Sequence, residues 1–590
     1  MAEEAVTALP AASPASPHGE LALWPSTPGT ATRHPWEPTC QRGRGFRAGC
    51  AMQCRLRTVV YAAVFTSAAA RLASARNGPG ARRPGLPCAD PVKRAPVRFP
   101  PELVLGDTSD IVMYSGYVNV TAWDFLFYWF AEAKPNAPAD APLIVWSNGG
   151  PGCSAMEGMT TEHGPLILYG VKEDGAMFSG KLSRNPYSWN NQAHVLYVDQ
   201  PRYVGYSCGT GPFVTSSLQA GRDMVRFLQG WRGLFPGHAH RRIILAAESY
   251  GGHYVPAWAS AILDYNIRAS DPFSLVGIAI GNGIVNETVQ GSTFPEFARR
   301  QGLIPENEIL QSSWGAREIM NKYLGYIPNY YDYRLAEQEC CGCSSYNYKP
   351  WSDWLLRDDV TKALNVCGDS GTKAFGDCAA GCINMPEFDK GDTFSYSGAL
   401  GRALQQGVRV TFYYGMQDTA CNYVGGFAMA STIEWAGADM FARMPMEDLM
   451  IGGVSTGKYK SAAGLTWVQV ENAGHMVPIN SPAAASFAIN TLIRGSSTAD
   501  FVSSEGMSVL RRAFETHAYG WIPQLHRRGE DPRVLQWVLL ALGCGFLSIS
   551  AAAGIHKCAR VASFVTARHR GWRVVPACSA RHGVGSGVLV

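Results

Sequence analysis

The sequence predicts an α/β chain built on a central, mostly parallel sheet with helices on both faces. Three observations predict it. Apolar runs of strand length recur between helical or loop segments. One of these runs enters a turn of small residues and then a helical pattern. From about residue 285 to 395 the alternation stops and cysteines crowd together, which reads as an inserted cap.

The runs are Leu143–Trp146, Val195–Val198, Ile243–Ala247, Leu275–Ile280 and Val408–Tyr414, with a more alternating sixth at Leu465–Val470. Strands spaced by helical segments form parallel βαβ units. Functional loops are then expected at the carboxyl ends of the strands. A helix is expected from about Val255 to Asp264, after the third run.

The chain has 590 residues, 46% hydrophobic and 17% charged, with a net charge of +4. That suits one large globular domain with apolar appendages. No concentrated basic stretch carries interleaved aromatics, so nucleic acid is not an expected partner. Sixteen cysteines point away from a reducing compartment. Ten lie between Cys88 and Cys421, and six of those are Cys340, Cys341, Cys343, Cys367, Cys378 and Cys382. Zinc is the rival to disulfides for this cluster, but no histidine spacing accompanies it, so disulfides are expected.

The ends read as targeting segments. Residues 1–51 are a leader without apolar periodicity, or lie upstream of the true start. Arg55 and Arg57, the apolar run Val59–Ala70 and Ala73-Ser74-Ala75 compose a signal peptide over residues 52–75. A short buried helix is the alternative. Residues 76–98 read as a linker or short pro-segment, 99–495 as the globular domain and 496–533 as a second linker. Asn119 and Asn286 head N-glycosylation sequons. Residues 534–555 form an apolar run of 22 residues. As a helix it would reach roughly 33 Å, enough to cross a bilayer. It contains Gln536 and several small residues, so a core or amphipathic helix competes with a transmembrane one. The arginine-bearing tail 556–590 is expected in the cytosol and the globular domain on the other side.

The run Ile243–Ala247 leads into Glu248-Ser249-Tyr250-Gly251-Gly252-His253. Strand, tight turn and helix is the setting that exposes a serine oxygen on a strained turn. Ala247 stands where such turns usually have their first glycine. So short a match also fits a serine in an ordinary turn. Partners raise its weight, because a serine nucleophile needs a base and a group to orient that base. Asp418 follows the strand Val408–Tyr414, and His475 follows Leu465–Val470. Alone, the aspartate also reads as a helix cap and the histidine as a loop residue. The order Ser249, Asp418, His475 is that of the α/β-hydrolase fold. Leu143–Trp146 runs into Ser147-Asn148-Gly149-Gly150-Pro151-Gly152, whose glycines let backbone N–H groups approach a substrate oxygen. A plain tight turn would use the same residues.

Four segments together resemble the serine carboxypeptidases. They are Trp146 through Ser154, Glu248 through Pro256, Gly415 through Gly425 and His475-Met476-Val477-Pro478. Asp199-Gln200-Pro201, Gly281-Asn282-Gly283 and Trp354 through Val360 add weaker matches, and the resemblance spans roughly residues 99–495. It implies Ser249 as nucleophile, His475 as base and then acid, and Asp418 as the residue orienting His475. It implies an oxyanion hole from the N–H groups of Gly150 and Tyr250. It also implies that Asn148 and Glu248 hold the terminal carboxylate of the substrate, supported by Trp146 and Glu162. Cys421 is similar to a cysteine that is free in some members.

The chain departs from the family pattern at Tyr203, which fills a usual glycine slot, at Ser147, which replaces a leucine, and at Met416, where a carboxylate is common. None removes a catalytic group. The expected activity is acid-favoured removal of single residues from peptide and protein C-termini. Two glutamates beside a substrate carboxylate must share a proton, so one pKa is raised and the pair titrates as a unit. Acyl transfer to small molecules is the alternative, and a membrane-tethered binding protein is a third reading. The triad supplies its own nucleophile and acid–base group, so neither a metal nor an organic cofactor is expected.

Overall fold

The computed structural model describes residues 91–495, apart from 169–179, 309–315, 338–348 and scattered positions between 369 and 394. The leader, signal peptide, apolar run 534–555 and tail lie outside the described residues, as do Cys88, Cys340, Cys341, Cys343 and Cys378. Among the described residues, no helix is long and apolar enough to cross a membrane.

The chain enters through a short β1 (Ala95–Pro96) and the hairpin β2 (Met113–Asn119) and β3 (Asp124–Ala131). β4 (Leu143–Ser147) follows. β5 (Leu166–Leu168) and β6 (Leu182–Arg184) pair as a separate ribbon. Then come β7 (His194–Val198), a two-residue β8 (Cys208–Gly209), β9 (Ile243–Glu248) and β10 (Leu275–Gly281). β11 (Arg409–Gly415), β12 (Glu447–Ile451), β13 (Val454–Ala462) and β14 (Leu465–Val470) complete the set.

Twelve of these strands form one sheet in the order β1-β2-β3-β7-β4-β9-β10-β11-β14-β13-β12, with β8 beside β3. The six central strands, β7 to β14 in that order, are mutually parallel. The outer pairings are antiparallel. The sheet is therefore mixed, which corrects the mostly parallel expectation. All six expected runs are strands of its parallel centre. The flanking strands escaped because no helical crossover punctuates them. β3 is a continuous Phe-Leu-Phe-Tyr-Trp-Phe run that fits a doubly covered pleated surface. β12 is largely exposed and carries a weak apolar pattern.

Alternating strand residues feed two cores, one on each face. Val145, Leu245, Ile280 and Phe412 pack on one side, and Ile144, Ala246, Ala279 and Tyr413 on the other. Helices α1 (Ser217–Leu234) and α2 (Gly251–Asn266) contribute to the first core. The helix Pro482–Arg494 contributes to the second. Between β10 and β11 the described residues hold helices, loops and isolated bridges but no strand of the main sheet. Cys382 in that segment is disulfide-bonded to Cys153 in the glycine-rich loop. Cys208 is also disulfide-bonded.

Candidate active site

Every chemically important loop leaves the carboxyl end of a central parallel strand. Asn148 follows β4, Ser249 follows β9, Asn282 follows β10, Asp418 follows β11 and His475 follows β14. The strand ends are in register: Ser147 lies beside Ala247, Glu248 beside Gly281, Gly281 beside Tyr413, and Gly415 beside Val470. Residues far apart in sequence thus converge on one edge of the sheet.

Ser249 has φ +58°, a left-handed conformation that costs a residue with a Cβ about 1 kcal/mol or more. Its N–H donates to the Gly281 carbonyl at 3.0 Å, and its carbonyl accepts from Ile284 N at 2.8 Å. These bonds hold the strained turn in place. Helix α2 begins two residues later, so it opens earlier than the expected Val255. Its close packing on the strand explains the small residues. A Cβ on Gly251 would lie 2.3 Å from that of Ala247. The slot thus tolerates Ala247 because Gly251 provides the clearance.

His475 Nδ1 hydrogen-bonds Asp418 Oδ2 at 2.7 Å, and both side chains are buried. Asp418 also accepts from Asn282 Nδ2 at 2.9 Å, Ala420 N at 2.8 Å and Cys421 N at 3.2 Å. The Nε2 edge of His475 is buried without a hydrogen-bond partner. Burial and then the charge of Asp418 raise the pKa of the Cys421 thiol, which the neighbouring Ser249 side chain partly offsets. Cys421 is a free buried cysteine. Asp418, Cys421 and His475 each place one ligand-type atom within 4.8 Å of the others. That trio resembles a metal donor set, but Asp418 Oδ2 and His475 Nδ1 already satisfy one another.

Beside the serine lies a buried carboxylate cluster. Asn148 Oδ1 accepts from Trp146 Nε1 at 2.8 Å and from Gly158 N at 3.1 Å. With its oxygen committed to two donors, the amide must turn Nδ2 the other way. Nδ2 lies 2.8 Å from Glu248 Oε1, 3.2 Å from Glu162 Oε1 and 3.5 Å from Glu157 Oε2. Burial, then the charge of Glu157, pushes Glu162 up to about 8 despite its hydrogen bonds to Asn148 and Glu248. Burial, then Glu162 and Glu157, hold Glu248 well above the ordinary carboxylate range. Gly149 packs straight onto the serine turn, where a Cβ would lie 2.5 Å from Tyr250 N. This brings the Gly150 segment against the turn that carries Ser249.

The family model for serine carboxypeptidase matches residues 101–324 and 316–495, most of the chain. The chain belongs to the serine carboxypeptidase family. A carboxypeptidase Y homolog A of Arthroderma otae is 31% identical over 428 residues, 66% of this chain and 76% of that protein. The homolog in Trichophyton equinum is 30% identical over the same shares. A prohormone-processing carboxypeptidase from Saccharomyces cerevisiae superposes with a TM-score of 0.56 at 23% identity, over 70% of this chain and 97% of that one. At that identity the superposition speaks to the fold.

Within this serine carboxypeptidase, the structure brings together Ser249, Asp418, His475, Tyr250, Gly150, Asn148, Glu248, Trp146 and Glu162. The two sequon asparagines lie elsewhere. Asn119 is exposed at the end of β2, and Asn286 caps a helix by accepting from Val289 N at 3.2 Å. Tyr203 has φ +73° in the slot where glycine is usual. Its hydroxyl is held by Asp124 and the Gly211 carbonyl, and its ring lies 4.6 Å from that of Phe213.

Of three supporting residues, Asn282 stood in the sequence only as part of a weak match, and Tyr331 and Glu157 were missed. Asn282 clamps the strand end to Asp418, its Oδ1 accepting from Gly415 N at 2.8 Å. Tyr331, from the segment between β10 and β11, stacks its ring on that of His475 at 4.2 Å, and its backbone carbonyl accepts from the backbone N–H of His475 at 2.8 Å. Glu157 completes the carboxylate cluster. Residues 158–162 form a π-turn, closed by His163 N donating to Gly158 O at 3.0 Å. One π-turn sets residues five apart on the same face. Glu157 and Glu162 therefore reach the same amide, which α-helical spacing does not suggest.

Proposed function

We propose that the chain removes single residues from the C-termini of peptides and proteins through an acyl-enzyme. The observation that carries this reading is the Asn148 amide, fixed with Nδ2 toward Glu248 and Glu162 one residue from Ser249. In this reading the Ser249 oxygen attacks the last peptide carbonyl while its proton passes to His475 Nε2, the nitrogen left without a partner. Asp418 holds the ring with Nδ1–H inward and stabilises the imidazolium that forms. The N–H groups of Gly150 and Tyr250 receive the negative charge on the carbonyl oxygen. His475 returns its proton to the departing amino group. Water then cleaves the acyl-enzyme by the same route.

The terminal carboxylate of the substrate meets the amide of Asn148 and a protonated glutamate. A carboxylate facing ionised carboxylates would be repelled, so the raised pKa values of Glu162 and Glu248 suit this role. Acyl transfer to small molecules is not favoured, because it needs no such carboxylate reader. The signal-peptide pattern and the apolar run 534–555 support a secretory-pathway enzyme anchored with its catalytic domain in a lumen or outside the cell. Asn119, exposed at a strand end, suits glycosylation there.

One substrate pair tests the activity. A blocked dipeptide is offered as the free acid and as the amide, with Ser249→Ala as blank. Release of the last residue from the acid alone, and only with Ser249 present, supports the reading; equal turnover of both overturns it. Fractionation of the full chain against one ended at Gly529 tests the anchor, which fails if both remain in the soluble fraction.

A further inference from the structure

A buried carboxylate behind the serine turn is left unused by the proposed chemistry. Asp392 lies in the segment between β10 and β11, and its side chain is 3% exposed. Oδ1 accepts from Tyr396 Oη at 2.6 Å and from Ser217 N at 3.1 Å. Oδ2 accepts from Ser217 Oγ at 2.5 Å and from Tyr250 Oη at 3.0 Å, and lies 3.4 Å from His253 Nδ1. Ser217 is the first residue of α1, and His253 lies in the first turn of α2. One carboxylate therefore joins the cap segment to the starts of two helices and to the residue that follows Ser249.

The charge on Asp392 suits this place. Burial alone would raise its pKa, but hydrogen bonds from His253, Ser217 and Tyr396 outweigh it and bring it down to about 2. The N-terminus of α1 also favours an anion there. The carboxylate thus stays ionised through the acid range in which the enzyme is proposed to work.

Tyr250 has two jobs at opposite ends. Its backbone N–H is the proposed oxyanion donor, and its hydroxyl is held by Asp392. Its ring is wedged against His253 at 4.4 Å and Tyr254 at 5.4 Å. A donor stabilises a transition state only as far as it is held in place beforehand. We infer that Asp392 is a positioning residue for the oxyanion hole: by holding the Tyr250 hydroxyl it fixes the turn that aims the Tyr250 N–H. This rests on the carboxypeptidase reading above.

An interaction made only in the transition state lowers kcat when lost and leaves KM alone. The terminal-carboxylate site around Asn148 shares no hydrogen bond with Asp392, so substrate binding gives an internal comparison. Wild type, Asp392→Asn, Tyr250→Phe and the double variant are assayed on the blocked dipeptide acid, with Ser249→Ala as blank. Inhibition is measured with an N-blocked amino aldehyde, which adds to a serine oxygen as a hemiacetal, and with the free product. Each single variant is expected to lose about tenfold or more in kcat, with KM within about threefold. The aldehyde should weaken in parallel with kcat while the product does not. The double variant should be no worse than the worse single variant, because both break one link.

Tyr250→Phe removes one bond of the five and keeps the test open if Asp392→Asn fails to fold. Wild-type kcat in Tyr250→Phe overturns the inference. So does a loss carried by KM, or aldehyde and product weakening together. If wild type does not exceed Ser249→Ala, it is the carboxypeptidase reading that falls.

Discussion

His475 and Asp418 meet across 2.7 Å, Nδ1 to Oδ2, while the opposite ring nitrogen is buried with no partner. Asp418 is in turn the acceptor for Asn282 and two backbone N–H groups, so it stands among donors only. Asp418→Asn would set an amide donor or a reoriented oxygen against the ring and favour the wrong tautomer. The expected loss in kcat is on the order of ten-thousand-fold, with KM little changed. Steady-state kinetics on the free-acid dipeptide check it, and circular dichroism confirms folding. Activity within tenfold of wild type would remove Asp418 from the triad.

How much of this was legible in the sequence depends on the distance over which each residue acts. Ser249, Asp418 and His475 were readable because a parallel strand announces itself as an apolar run and the chemistry follows at its end. Glu248 belonged to the same run. Glu157 was not readable, because a π-turn breaks the spacing by which helical faces are recognised. Tyr331 and Asp392 were not readable either. Each comes from the segment between β10 and β11, more than fifty residues from the nearest motif residue it supports, and nothing local marks its partner. The β2–β3 hairpin was missed for a different reason: its aromatic run lacks the helical crossovers that betray the central strands.

The carboxylate cluster makes binding and stability depend on pH in a stated direction. Folding raises Glu162 from 4.5 to about 8 and moves Glu248 the same way. A group whose pKa rises on folding favours the folded state fully below its unfolded value and loses that contribution as pH climbs through the folded one. The melting temperature is therefore expected to fall from about pH 4.5 to about pH 8. KM for a free-acid substrate should stay level through the acid range and rise as pH approaches and passes about 8, where the folded Glu162 ionises and repels the substrate carboxylate. KM is the quantity to follow, since it reads substrate binding rather than the chemical step. Glu248→Gln keeps a donor that cannot ionise and should flatten the KM profile. A KM that falls steadily toward alkaline pH contradicts the assignment.

Glu157 should tune that profile without being required for turnover. Its charge is one of the causes raising both neighbours. Glu157→Gln removes a like charge and retains a polar side chain near Asn148. The pair should then ionise at lower pH, so the rise in KM moves toward the acid side. kcat at acid pH should stay within about threefold, since ordinary polar substitutions away from the reacting atoms cost little. An unmoved profile would mean that Glu157 is insulated from the pair.

Tyr331 ties the segment between β10 and β11 to His475, the proposed general base. Its ring stacks on His475 at 4.2 Å with an interplanar angle of 14°. Aromatic pairs of this kind contribute about 0.5–1.5 kcal/mol beyond their buried area. Tyr331→Ala should therefore lower stability and free the imidazole to rotate out of line with Ser249. A drop of about tenfold in kcat is expected, since misplacing an aligned catalytic group by a small distance is costly. Tyr331→Phe keeps the ring and the backbone acceptor and should restore most of the loss. If phenylalanine fails where alanine fails, the hydroxyl rather than the stack is what matters.

Two glycine substitutions separate backbone geometry at the site from backbone propensity elsewhere. A Cβ on Gly149 would lie 2.5 Å from Tyr250 N, 2.7 Å from Glu248 O and 2.8 Å from Ser249 Cβ. Two of those neighbours are main chain, so relief requires moving the serine turn itself. Gly149→Ala should cost about 1–3 kcal/mol of stability and far more than its share of kcat. Gly233 sits exposed in α1 with nothing within 4 Å of an added Cβ. There alanine gains helix propensity, so Gly233→Ala should stabilise the fold by about 0.5–1 kcal/mol and leave kcat unchanged. Thermal melts and kinetics on both variants decide the matter. A Gly149→Ala enzyme with full kcat would show that the glycine loop and the serine turn do not depend on each other.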